Sequence, residues 1–184
     1  HRFVWSLNED FSKFNEIKHP IVKAIYKMMK IEKNLETHHM SDLPGRSGLG
    51  SSSSFCVGLI NSFYYKLKKK KIDKAKLYKM AIYAERNIAK DINGDQDSIW
   101  AAYGGFKKLI FNKNGCKIIN LNINKKKIIE LENNILLFNT SIFRNSSLIE
   151  KKKIDSLKNK IHLYDRLKYF VMESEKILAS KNNE

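Results

Sequence analysis

Cysteine is scarce in this chain of 184 residues: Cys56 and Cys116 are the only two, and they form no CxxC pair. Their scarcity excludes a disulfide framework and a cysteine-based zinc site, and makes a reducing cytoplasm the expected compartment. No stretch approaches the ~18 consecutive apolar residues that a membrane span requires. The opening residues, HRFVWSLNED, contain no apolar core of the kind that marks a signal peptide. An initiator Met is absent as well, so the chain is expected to start within a longer protein. No internal repeat recurs at solenoid periods. Acidic side chains are the other shortage: 19 Asp and Glu face 35 Lys and Arg, a formal charge of +16 at pH 7.

What is present fits a globular protein. Apolar residues make up 42% of the chain, which argues against wholesale disorder. The length allows one buried core, or one core plus part of another. The positive charge has two readings. One is an anionic partner: a nucleotide, a sugar phosphate, a nucleic acid or a membrane surface. The other is composition, since Lys, Asn and Ile are abundant together, as AT-rich coding produces. The Lys runs at 68–71, 125–127 and 151–153 then read as solvated surface. Nucleic-acid binding rests on the charge alone, because no compact basic-aromatic motif accompanies it.

Hydrophobic spacing organises the chain. Residues 1–7 read as a strand. His19-Pro20 starts a helix in which Ile21, Ala24, Ile25 and Met28 share a face, ending near Met29. Asn34–Met40 reads as a strand leading into a glycine loop. A second helix runs from Ser51, with Phe55, Leu59, Phe63 and Leu67 four apart, to the Lys run at 68–71. Asp73 is a candidate N-cap for a third helix, with Leu77, Met80, Ala81, Ala84 and Ile88 on one face, broken at Asn93-Gly94. Residues 97–103 suggest a helical turn. Phe106–Phe111 and Cys116–Ile123 suggest a hairpin around Asn112–Gly115. Leu136, Leu137 and Phe138 suggest one more buried strand, and Lys-rich helices follow from Ser147. Strands and helices mix without a βαβ rhythm, so the expected class is α+β.

The loop between the second strand and the second helix carries the chemistry. Its sequence, Pro44–Ser54, is PGRSGLGSSSS. Gly45, Gly48 and Gly50 allow positive φ and close backbone approach to a ligand. The helix start beyond them offers free N–H groups and partial positive charge, the combination that binds phosphate. Ser51, Ser52, Ser53 and Ser54 add hydroxyls that can donate to phosphate oxygens or ligate Mg²⁺. No Lys follows Gly50, so this is not a Walker A loop. The G-x-x-G-x-G spacing is not the Rossmann fingerprint either. The bland alternative is a Ser-capped helix after a tight turn.

Two acidic residues come next. Glu85 lies between Ala81 and Ile88, near the apolar face of its helix. A carboxylate there needs a partner or a metal, unless it sits at the edge and reaches solvent. Asp97 can accept a proton from a substrate hydroxyl, or simply cap the turn 98–103, as Asp95 can. His38 and His39 are adjacent on a strand and point to opposite faces, so they cannot share a metal; surface or packing roles follow. Trp100 and Tyr103 read as core packing or as a wall facing a sugar.

The string SDLPGRSGLGSSSSFCVGL resembles the second motif of the GHMP kinases, which phosphorylate galactose, homoserine, mevalonate and related small molecules. Within that family it looks closest to the heptose 7-phosphate kinase branch. The resemblance continues through Glu85, GDQDSIWAAYGG (94–105) and LLFNTSIFR (136–144), covering roughly residues 20–147 in family order. It implies ATP and Mg²⁺ as cofactors and transfer of a phosphoryl group to a hydroxyl of a heptose 7-phosphate-like sugar. Pro44, Gly45, Arg46, Ser47, Gly48, Leu49, Gly50, Ser51, Ser52 and Ser53 would hold the ATP phosphates. Ser52 and Glu85 would hold the metal, and Asp97 would be the catalytic base. Thr140 and Arg144 fall in a stretch that lies near the sugar.

The implied fold is the GHMP N-terminal domain, a mixed or antiparallel sheet packed with helices. Residues 1–132 would form that ATP-binding domain without its first strands. Residues 133–184 would begin a C-terminal domain that lacks the family's later Gly-rich motif. The chain departs from the family at Ser98, where Gln is common, and at Arg46, where many members have Gly. The partners expected are ATP and a small phosphorylated sugar, with no membrane; a second copy or a complementing chain is the protein partner allowed. The alternatives are a non-catalytic or regulatory descendant of the fold, and a basic nucleic-acid-binding protein.

Overall fold

His19-Pro20 opens helix α1 (Pro20–Met29) as the spacing predicts. Pro20 needs no N–H at the first helical position. His19 is the N-cap, its Nδ1 accepting from the Val22 amide at 3.5 Å. The computed structural model describes residues 1–32, 34–42, 48–138, 146–157 and 160–179. These fall into two compact units: 1–103 with 141–150, and 104–140 with 151–184.

In the first unit the opening segment is two short strands rather than one. Strand β1 (Arg2–Val4) turns back into β2 (Asn8–Asp10), and β3 (Glu36–His38) lies parallel to β1 on its other side. The sheet is thus mixed, in the order β2-β1-β3. Helix α2 (Ser51–Lys68) follows the loop, and α3 (Lys74–Ile82) starts at Asp73, whose carboxylate accepts from the Lys76 amide at 3.0 Å. The expected continuous helix to Ile88 instead changes winding. Tyr83–Ile88 forms a π-helical turn, closed by the Ala89 amide on the Ala84 carbonyl at 2.9 Å. Helix α4 (Gln96–Tyr103) ends the run. Phe3, Ile25, Tyr26, Cys56, Ile60, Phe63, Leu77 and Ala81 meet in one core between the sheet and these helices. Burial pushes the Cys56 thiol far up, which leaves it a packing residue.

The second unit holds the expected hairpin, β4 (Lys107–Asn112) paired antiparallel with β5 (Gly115–Asn120). It also holds helix α5 (Lys125–Asn133), which the sequence reading did not anticipate, and α7 (Ile161–Ala179). Helix α6 (Ser146–Asp155) precedes α7 in the chain. Lys108 pairs with Glu175, and Lys127 Nζ donates to the Ile177 carbonyl at 3.3 Å. The buried strand expected at Leu136–Phe138 does not form. Those side chains are 75–79% exposed and no ladder reaches them. An apolar run becomes a strand only where a sheet edge can satisfy its backbone, and α5 occupies the chain just before it. No helix among the described residues is long and apolar enough to cross a membrane.

The N-cap of α1 makes stability depend on pH. His19 packs edge-on to Trp5 with ring centroids 4.7 Å apart, and against Phe55 at 5.2 Å. Burial holds its imidazole below the ordinary 6.5, the His39 charge acting in the same direction and Glu9 opposing. The folded state therefore binds fewer protons at this site than the unfolded chain. Its contribution is complete above the unfolded value and is lost as the pH falls through the folded one. His19→Asn keeps a capping acceptor and removes the titration. Urea midpoints at about pH 7 and about pH 5 should fall less on acidification in the variant than in the parent.

Candidate active site

Gly50 is the N-cap of α2, with φ of 70°. That left-handed conformation suits glycine and lets the chain turn from the loop into the helix, the Ser54 amide bonding back to the Gly50 carbonyl at 3.0 Å. Gly48, at φ 80°, makes the preceding turn. Of the predicted phosphate loop, Gly48–Ser53 are described; Pro44, Gly45, Arg46 and Ser47 lie outside the described residues, as do Thr140 and Arg144.

Asp97 reaches this helix start from α4. A Cβ placed on Gly50 would lie 3.4 Å from Asp97 Cγ and Oδ2, so the carboxylate rests against the backbone that opens α2. Asp97 itself is exposed, whereas its neighbours Ser98 and Ile99 are fully buried. Asp95 precedes the helix, its carbonyl receiving the Ile99 amide at 3.1 Å while its carboxylate pairs with Arg86. The Asp97 carboxylate lies at the loop.

Glu85 is only 1% exposed, which removes the edge-position alternative. The π-helical winding lets Ala84 and Glu85, consecutive residues, both turn inward. Such turns occur frequently at functional sites. Ser53 Oγ donates to Glu85 Oε1 at 3.1 Å and Oε2 at 3.3 Å, and Ser98 Oγ donates to Oε2 at 2.9 Å. Burial pushes the Glu85 carboxyl above its usual range; the hydroxyls of Ser98 and Ser53 oppose this, and the charges of Asp91 and Asp97 reinforce it. The hydroxyl facing Glu85 is thus that of Ser53. Ser52 is exposed and lines a cleft between α2, the start of α1 and the end of β3.

That cleft encloses about 1100 Å³. Leu49, Ser51 and Ser52 line it at the helix start, with His19, Phe55 and Lys90 among the other walls. His39 packs on Phe55 with ring centroids 4.5 Å apart, and His38 Nε2 lies 2.9 Å from Glu36 Oε1. These are the packing and surface roles expected of the pair. Trp100 is 37% exposed, and Tyr103 packs against Tyr78.

The structure therefore joins Gly50, Ser53, Glu85 and Asp97, which the sequence places far apart. It also brings in Ser98 and Arg86, which the sequence did not single out as candidate site residues. Ser98 had a readable signal: it is a polar residue beside Ile99 on the inward side of a short helix, the same anomaly that singled out Glu85. Arg86 had none, because its bonds to the Asn93 carbonyl and to Asp95 span a loop. No group of three or more His, Cys, Asp or Glu able to hold a metal occurs among the described residues.

The class so defined is a small α+β domain built around a glycine-opened helix, with one buried and one exposed carboxylate behind its start. Residues 17–105 match the model of the GHMP kinases N terminal domain. The chain is 34% identical, over 145 residues and 76% of its length, to the D-glycero-alpha-D-manno-heptose 7-phosphate kinase of Campylobacter jejuni. Its fold is similar to that of a D-glycero-D-manno-heptose 1-phosphate kinase from Bacteriodes thetaiotaomicron, with a TM-score of 0.63 and 22% identity over 71% of this chain. The chain spans 42% of the first protein and 47% of the second, less than half the length of either relative.

Proposed function

We propose that this chain is the nucleotide-binding and base-bearing portion of an ATP-dependent kinase that phosphorylates a hydroxyl of a heptose phosphate-like sugar. The observation that carries the reading is the Asp97 carboxylate resting against Gly50 at the start of α2. Phosphoryl transfer needs positioning and charge neutralisation more than covalent help. The loop through Ser53 would receive the ATP phosphates on the free amides of α2. The cleft beside it is of a size that suits a small-molecule ligand and would take the rest of the nucleotide. The substrate hydroxyl would lose its proton to Asp97 as its oxygen bonds to the terminal phosphorus and ADP leaves.

Mg²⁺, when bound, would neutralise charge on the phosphate oxygens. Glu85 suits it: the three hydrogen-bond contacts from Ser53 and Ser98 leave about one acceptor site free on a carboxylate that offers about four. Mg²⁺ typically takes only one or two protein carboxylates beside phosphate and water. Ser53 is then the nearer hydroxyl, with Ser52 toward the cleft. Thr140 and Arg144 are assigned to the sugar side, residues 1–132 to the ATP-binding domain, and the cytoplasm to its place of work.

The test is ADP formation with Mg²⁺, ATP and heptose 7-phosphate by this chain, alone and as part of a longer protein. Sugar-dependent turnover is expected. ATP binding without such turnover would overturn the catalytic reading in favour of a regulatory descendant of the fold.

A further inference from the structure

Asp97 is an exposed residue in the first turn of an eight-residue helix, and something must aim it. A helix this short has little stability of its own. Two sets of polar contacts hold its first turn. Ser98, fully buried, donates to Glu85 Oε2 at 2.9 Å, and Glu85 is tied in turn to Ser53 on α2. Successive residues on a helix are about 100° apart around its axis. Fixing Ser98 inward therefore sets the direction in which Asp97 points. Arg86, the neighbour of Glu85, donates to the Asn93 carbonyl at 2.9 Å and pairs with the Asp95 carboxylate. Asp95 supplies the carbonyl that receives the Ile99 amide. Arg86 therefore holds the chain where it enters α4.

We propose that Ser98 and Arg86 are positioning residues: acting through Glu85 and Asp95, they lock the rotation and the entry of α4 and so hold the Asp97 carboxylate against Gly50. The geometry stands by itself, while its consequence for turnover rests on the kinase reading. Consecutive positions on the π-helical turn serve both locks, which accounts for a local winding that an ordinary helix would not need.

The test compares Ser98→Ala and Arg86→Ala with the parent chain. Each should lower kcat about tenfold, since displacing a reacting group by a fraction of an ångström is costly. KM for ATP should change less than about twofold, because the phosphate loop is untouched. Arg86→Lys should recover part of the loss, since both bonds leave from the single nitrogen Nη2 and a Lys ammonium can also donate to two acceptors. In an Asp97→Asn background Ser98→Ala should have no further effect on residual turnover; a residue acting through Asp97 has nothing left to position. Full multiplication of the two losses, or loss of ATP binding in Arg86→Ala, would overturn the proposal. Arg86 is half-exposed, so its variant carries the test if Ser98→Ala does not fold.

If the parent chain turns over no sugar phosphate, the kinase reading fails and the positioning is read by hydrogen exchange. Exchange about tenfold faster at the amides of 97–100 in Arg86→Ala supports it. Unchanged exchange there sinks it.

Discussion

Asp97→Asn should lower kcat by about 1000-fold, roughly 4 kcal/mol of barrier at ~1.4 kcal/mol per decade. General bases contribute about 100- to 10,000-fold, and the amide keeps the shape of the side chain while losing the ability to take the proton. ATP affinity should stay within about threefold, because Asp97 touches the helix start from outside rather than building the amide cradle. Steady-state kinetics with a parallel calorimetric ATP titration separates the two quantities. Equal losses in kcat and ATP affinity would make Asp97 a loop support instead of a base.

Gly50→Val has the second largest expected effect, and it acts on the same contact from the other side. At φ 70° a β-branched residue is a conformational outlier, and the left-handed region costs L-residues about 1–2 kcal/mol. A Cβ alone would already touch Asp97 Cγ and Oδ2 at 3.4 Å, so the two γ-methyl groups must displace that carboxylate or the loop. Turnover should fall by about 100-fold or more. The melting temperature should fall by about 2–8 °C, at about 2–4 °C per kcal/mol for a chain of this size. Gly48→Ala is the control: it shares the strained φ, but no described residue lies within 4 Å of its added Cβ. It should lose stability with much less loss of turnover. Equal kinetic losses in the two variants would mean that strain in the loop, and not the Gly50–Asp97 contact, limits the reaction.

Much of the fold can be read along the chain because its signals are local. His19-Pro20 before an apolar periodic stretch and Asp73 at an N-cap each act within one helical turn, and both elements start where expected. The hairpin around 112–115 is equally local. The run at Leu136–Phe138 shows the limit, since hydrophobicity implies burial but not a partner. The π-helical turn shows another: the 3.6 period of Ala81, Ala84 and Ile88 is compatible with either winding, and packing chose between them.

The candidate site divides in the same way. The sequence by itself determined the glycine- and serine-rich helix start, the anomalous Glu85 and the acidic Asp97, because glycine and serine at a helix start and a carboxylate on an apolar face are anomalies of composition and spacing. Only the tertiary structure decided that Ser53 rather than Ser52 faces Glu85, that Ser98 completes its hydrogen bonds, that Arg86 grips the entry of α4, and that Asp97 meets Gly50. Those contacts join residues up to 47 positions apart. Their partners are chosen by which helix faces which once the core has closed, information that no local pattern of residue types contains.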